Sequence, residues 1–251
     1  MNVLFLKPAG YRGPLRLTSA SKVREWPEQA NGFSLPTIRE VCVYATPTCW
    51  RGCYAKRGRM IFPTPQRAFR RNYDALVKAG TAEQMAELLI ELFDWMKFSI
   101  VRIHVSGEFF SKEYTKAWAL TCREYSSATF WSYTRSRDTD VLAVLAQIPN
   151  LRILLSCDRD NWTQMLEISA DFPCFGLSYY SVGECPRDEV YARGDEVPVD
   201  NPIGLVVFPD RSVQRQLNLP GTCPTEVAVN PWPKEGACVK CRRCCGIPHI
   251  E

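Results

Sequence analysis

The sequence predicts an α/β fold built on a parallel sheet, and three observations carry that expectation. Strand-like runs alternate with helix-like segments, giving six such runs between residues 40 and 208. Several of them lack polar alternation, and Leu151–Cys157 is almost continuously aliphatic, as strands covered on both faces are. Polar and sulfur-bearing residues gather just after the runs, where the carboxyl ends of parallel strands collect functional groups. Right-handed crossovers between such strands give either an open doubly wound sheet or a barrel.

Taken in order, residues 1–39 hold one apolar run, Val3 to Leu6, then Pro, Gly and basic residues. They read as an extension wrapping the domain edge, with room for one edge strand. Glu40 to Ala45 is β-branched and aromatic and reads as the first main strand, ended by Thr46-Pro47-Thr48. Ala68 to Ala79 is helical, and Ala82 to Lys97 is amphipathic, with Met85, Leu88, Leu89, Leu92 and Trp95 on one side. Ser99 to Ser106 is a strand, and Ser111 caps a helix carrying Tyr114, Ala117, Trp118 and Cys122. Strands at Thr129–Thr134, Leu151–Cys157, Phe175–Ser181 and Ile203–Phe208 follow, with helices at Thr139–Ile148 and Asn161–Ala170. Residues 40–210 therefore form the main domain. A charged, Pro-bounded stretch from Pro186 to Pro202 reads as a long loop or linker, and residues 211–251 as a small Cys-rich module.

At 251 residues and 46% hydrophobic, the chain suits one large domain with a small appendage. A net charge of +4 is too mild by itself to argue for a nucleic-acid binder. No signal peptide is expected, and the longest apolar runs are too short to span a bilayer. The expected setting is cytoplasmic and reducing, where twelve cysteines read as metal ligands rather than disulfides.

Cys42, Cys49 and Cys53 follow one another at intervals of seven and four. Thiolates on one loop at a strand end are what an iron–sulfur cluster or a zinc ion requires. Three sulfurs so close cannot all pair as disulfides, and the plainer alternative is that they pack as small buried hydrophobes. Between Arg51 and Arg71 lie seven basic residues and no acidic one: Arg51, Lys56, Arg57, Arg59, Arg67, Arg70 and Arg71. Such charge lowers thiol pKa values and offsets a thiolate-ligated cluster; it also suits a solvated basic face or a phosphate-binding surface.

A cysteine loop after the first strand and a Gly-Glu pair after the second together resemble the radical S-adenosylmethionine (radical SAM) superfamily. Cys49 and Cys53 keep the CxxxC part of its CxxxCxxC loop, Lys56 stands where the third cysteine belongs, and Cys42 replaces that cysteine from upstream. With RIHVSGEFFSKEY and FWSYTRS, the pattern is similar to radical-SAM-like phage and plasmid proteins with a non-standard motif. The resemblance covers residues 40–185 and implies a partial (β/α)6 TIM-like barrel. It implies that Cys42, Cys49 and Cys53 hold three irons of a [4Fe–4S] cluster, the fourth iron being open to S-adenosylmethionine. Ser106, Gly107 and Glu108 stand where the family holds the methionine amino group, and Ser156 and Asp158 are candidates for its ribose. His104, two residues before Ser106 and so on the same side of the strand, and Arg135, able to hold a carboxylate or phosphate, are candidates for the reaction chamber. The chemistry implied is reductive cleavage of S-adenosylmethionine, fed by a donor such as a ferredoxin or flavodoxin. The substrate class, whether peptide, nucleobase, tRNA or metabolite, stays open.

The tail repeats the cysteine theme. Cys238, Cys241 and Cys244 make C-x2-C-x2-C, and Cys223 precedes a proline, which resembles ferredoxin ligation. A second, auxiliary cluster is expected, with Cys245 or Cys185 as further donors. The alternative is structural zinc on Cys223, Cys238, Cys241 and Cys244, or with His249. Two rival functions stand beside the enzyme: a zinc-dependent nucleic-acid binder using the basic run with Trp50, Tyr54 and Phe69, and a non-enzymatic iron–sulfur protein for electron transfer or sensing.

Overall fold

The computed structural model describes residues 10–18, 32–181 and 205–209. Six strands lie side by side in chain order: β1 Gly32–Ser34, β2 Ile100–Ser106, β3 Thr129–Thr134, β4 Leu151–Cys157, β5 Gly176–Ser181 and β6 Leu205–Pro209. Every neighbouring pair is parallel. Between the strands come α1 Pro47–Gly52, α2 Pro63–Ala79, α3 Ala82–Phe93, α4 Lys112–Glu124, α5 Thr139–Ala146 and α6 Trp162–Asp171. The fold is thus α/β with a parallel sheet, and each strand's successor lies directly beside it.

Alternate residues of the strands turn to the helices. Val101 and Ile103, Phe130, and Ile153 and Leu155 meet Leu89, Leu92 and Phe93 of α3 and Trp118 of α4 in one core. Trp118 is the hub, edge-on to Phe33, Phe93, Tyr114 and Phe130 at centroid distances of 5.6–6.5 Å. Each such pair adds about 0.5–1.5 kcal/mol beyond the area it buries. Helix starts are fixed by side chains that occupy otherwise unpaired backbone N–H groups. Thr81 accepts from Gln84, Ser111 from Tyr114, and Asp138 from Asp140 and Val141.

The amino-terminal part departs from expectation. No strand forms over Glu40–Ala45; those residues are a run of turns, and β1 lies at Gly32–Ser34, inside the expected extension. The position beside β2 is already taken by β1, which leaves the following residues to satisfy their N–H groups locally. Tyr11, Leu15 and Leu17 are fully buried, so the core reaches across position 39. Helix α3 stops at Phe93 rather than Lys97, and Trp95 is 53% exposed instead of continuing the apolar face.

Within β2 the ladder slips. Gly32 lies opposite Arg102 but Ser34 lies opposite Ser106, so one step of two residues on β1 answers four on β2. His104 absorbs the excess with a left-handed φ of +59°, which is uncommon for a residue with a Cβ.

Candidate functional site

The cysteine loop is shaped by short backbone closures. The Cys42 N–H donates to the Ile38 carbonyl at 2.8 Å, and the Ala45 N–H to the Cys42 carbonyl at 3.1 Å. Thr46 then caps α1, its hydroxyl accepting from the Cys49 N–H at 3.0 Å, with Pro47 at the first helical position where its missing N–H costs nothing. Cys49 therefore sits in α1, Cys53 follows its last residue, and Cys42 lies in the turns before it. All three are half-buried free thiols.

Buried charge ties this loop to the ends of β2, β3 and β4. The Thr46 hydroxyl donates to Asp158 Oδ2 at 2.6 Å, and the Arg135 Nη1 is 2.7 Å from the same oxygen. Asp158 is fully buried, and its Oδ1 accepts from the Asp160 N–H, while Asp160 Oδ2 accepts from the Thr48 N–H at 2.8 Å. On the other side of Arg135, its backbone N–H donates to Glu108 Oε2 at 2.7 Å. Glu108 Oε1 accepts from Thr134 Oγ1 and from the Phe109 N–H, both at 2.8 Å. One path of hydrogen bonds and a single ion pair, Arg135 to Asp158, therefore runs from Cys49 through Thr46, Asp158 and Arg135 to Glu108. Tyr180 of β5 adds a further tie, its hydroxyl donating to the Gly52 carbonyl at 3.3 Å; a Cβ on Gly52 would lie 2.4 Å from that hydroxyl.

Burial governs the thiols, and their like charges add to it. Burial pushes the Cys42 thiol up to about 12, and the charges of Glu108, Cys53 and Cys49 push it the same way. Burial also raises Cys49; Arg135 opposes, while Cys53, Asp158 and Glu108 reinforce. Each thiol is thus within electrostatic reach of the other two. Glu108 is raised by burial against the pull of its three hydrogen bonds and of Arg135. Those bonds give Oε1 two donors and Oε2 one, so the buried carboxylate is held on both oxygens.

Among the described residues, no three His, Cys, Asp or Glu side chains are drawn close enough to hold a metal ion. The donor chemistry at the loop is three thiols with a buried carboxylate beside them. That set suits a cluster with one open position better than closed structural zinc, which takes four protein ligands. Positive charge is at hand: Arg135 faces Cys49, and Arg39 and Lys56 lie over the Trp50 ring at 3.9 and 3.6 Å from its centroid.

The other expected site residues divide. Ser106, Gly107 and Glu108 stand together after β2, with Ser106 Oγ donating to the Leu35 carbonyl at 2.8 Å. Gly107 has φ +101° and a Cβ there would lie 2.6 Å from the Leu35 Cβ, so only glycine serves. His104 is not on the side of Ser106. Its left-handed backbone turns the ring into the helix layer, where Nε2 is 3.0 Å from the Tyr114 hydroxyl and Phe109 packs at 4.6 Å. Burial and Arg102 lower its pKa to about 3, so it is a neutral core residue. Asp158 is likewise too deeply buried to meet a ribose, and both of its oxygens serve the loop. Arg135 is buried and ion-paired with Asp158 through Nη1, which itself makes no hydrogen bond among the described residues. Ser156, half-buried at the end of β4, is placed on the strand face opposite that of Leu155 and Cys157. Phe69 is buried in the core region and offers no ring to a nucleic acid. Cys223, Cys238, Cys241, Cys244, Cys245, Cys185 and His249 lie outside the described residues.

Thr46 was not expected in the site. Its signal was present in Thr-Pro, a helix-start pair that reads equally well as a strand terminator.

A sequence model of the family described as Gene product 88 matches residues 10–245. The Gene 88 protein of Mycobacterium phage D29 is 30% identical over 140 residues, covering 53% of this chain and 58% of that protein. The Gene 88 protein of Mycobacterium phage L5 is 28% identical over 140 residues, covering 53% and 59%. The chain thus spans less than two thirds of these relatives' length. No solved structure matches significantly.

Proposed function

The chain belongs to the Gene product 88 family, and we propose that it is a radical-SAM-type enzyme of phage type, folded as a partial (β/α)6 barrel. The observation that supports this reading is a loop carrying three free thiols, Cys42, Cys49 and Cys53, tied through Thr46 to Asp158 at the carboxyl edge of a parallel sheet ordered β1 to β6, with Glu108 after β2 at the same edge. Cys42, Cys49 and Cys53 would hold a [4Fe–4S] cluster, and Glu108 would take the ammonium of S-adenosylmethionine. When bound, this pair of groups supplies reductive cleavage of a sulfonium carbon–sulfur bond and a radical able to abstract hydrogen.

The protein's part is positional. Thr46 holds Cys49, Asp158 holds Thr46, and Arg135 both neutralises Asp158 and donates its N–H to Glu108. Burial of this path keeps water from competing for the carboxylates. A cytoplasmic, reducing setting suits six described cysteines that are all free, and no described helix is long and apolar enough to cross a membrane. The tail cysteines Cys223, Cys238, Cys241 and Cys244 are proposed to hold the auxiliary cluster, or zinc, and a ferredoxin or flavodoxin to supply the electron.

Anaerobic purification with iron, sulfide and zinc analysis tests the metal, with about four irons expected per cluster. Incubation with dithionite and S-adenosylmethionine should then release 5′-deoxyadenosine or another cleavage product, and Cys53→Ala should abolish it. A colourless, zinc-only protein sinks the proposal. A brown protein that never cleaves S-adenosylmethionine favours the non-enzymatic iron–sulfur reading.

A further inference from the structure

Residues 51–78 carry eight Lys/Arg against one Asp, a local charge of +7 in a chain of +4, which leaves −3 for the remainder. This asymmetry is concentrated on the loop after Cys53 and on α2. An open recess of about 720 Å³ along α2 is lined by Arg16, Arg67, Arg70, Arg71 and Lys78, with Asp74 as its acidic member. Asp74 is already engaged by Arg70 at 2.8 Å. Arg67, Arg71 and Lys78 have no carboxylate partner among the described residues and are exposed.

Arg16 is fixed in the recess rather than free to swing away. Its Nη1 donates to the Gly13 and Leu15 carbonyls, and its N–H to Asn72 Oδ1 at 2.7 Å. Burial and the like charge of Arg71 both work against its protonated form. Crowding cations this way is unfavourable unless an anion relieves it, and guanidinium forks match the paired oxygens of a phosphodiester. The chain also exposes rings among its cations. Phe62, two residues before Thr64 of the recess, is 57% exposed. Tyr54, on the loop before it with its hydroxyl held by the Val105 carbonyl of β2, is 56% exposed, next to Arg51, Arg57 and Arg59 in sequence. Cations that track a backbone with rings that accept bases make a surface for single-stranded nucleic acid. Contacts lead from the recess to the site: Arg70 lies over Tyr73 at 5.6 Å, Tyr73 packs edge-on to Phe110 at 5.2 Å, and Phe110 is two residues after Glu108.

We propose that this surface docks the phosphate backbone of a single-stranded nucleic acid, which makes a nucleic acid the substrate class. The proposal rests on the enzyme reading for its chemistry but not for its binding, and the two can fail separately. Anisotropy of a fluorescein-labelled 20-nucleotide RNA, and of the matching DNA, should show saturable binding at 50 mM salt that weakens steeply as salt rises. The double variant Arg67→Glu with Arg71→Glu should weaken binding about tenfold or more and flatten the log–log salt slope by about two. A control of equal charge change, Arg123→Glu with Arg152→Glu at exposed positions elsewhere, should leave affinity within about twofold; circular dichroism confirms that each variant is folded. Equal loss in both double variants, no binding at 50 mM salt, or binding to phosphatidylglycerol vesicles in place of either oligonucleotide would each overturn the assignment. Normal cleavage of S-adenosylmethionine alongside any of these outcomes would leave the enzyme reading standing.

Discussion

His104 shows how one backbone angle decides a role. Alternation along β2 puts it beside Ser106, but a φ of +59° sends its ring to Tyr114 and Phe109. A folded-state pKa near 3, against about 6.5 when unfolded, means the native state binds fewer protons through that window. Stability contributed by the neutral ring is therefore present above about pH 6.5 and lost as pH falls toward 3, by at most about 1.4 kcal/mol per pH unit. Urea unfolding between pH 7.5 and 5 should reveal this slope. In His104→Asn, which tolerates the left-handed region, the slope should flatten while the fold survives. An unchanged slope would place the titrating group elsewhere.

At the scale of elements, the cysteine loop depends on α1 being anchored from outside itself. Six residues are too few to be a stable helix alone. Thr46→Val removes both the cap to Cys49 and the bond to Asp158, and should cost about 1–2 kcal/mol, with Thr46→Ser restoring most of it. Iron retained after reconstitution should fall with Val and recover with Ser, a pattern that a purely global loss of stability would not give at temperatures well below melting. Asp158→Asn breaks a buried ion pair and should cost about 3–5 kcal/mol in urea unfolding, because Arg135 is left buried without its counter-charge. The helical elements were largely legible. Ser111 announced α4 as a cap, and the aliphatic run Leu151–Cys157 announced β4 with its observed boundaries. Glu40–Ala45 misled because β-branched content records what a strand would accept and says nothing about whether a neighbour has a free edge.

For the whole molecule, the sheet and its helices are locked through one aromatic hub. Trp118 joins β1, β3 and α3 to its own helix, so Trp118→Ala should cost about 3–5 kcal/mol, read as a fall in the urea midpoint with little change in slope. The basic recess belongs to this scale as well, since Arg16 and α2 are far apart in sequence and are joined through Asn72, which bonds Arg16 and the Ser34 carbonyl of β1.

Hydrophobic periodicity and residue spacing by themselves determined the α/β class and the parallel sheet, and with strand direction they put Glu108, Arg135 and Asp158 just after the carboxyl ends of successive strands. Tertiary structure decided which of them face a ligand and which serve the frame. Burial turned Asp158 and Arg135 into each other's partners, and a slipped ladder turned His104 into core. Pairing of buried charges and the sharing of sheet edges are settled between segments distant in the chain, where no local pattern carries the information.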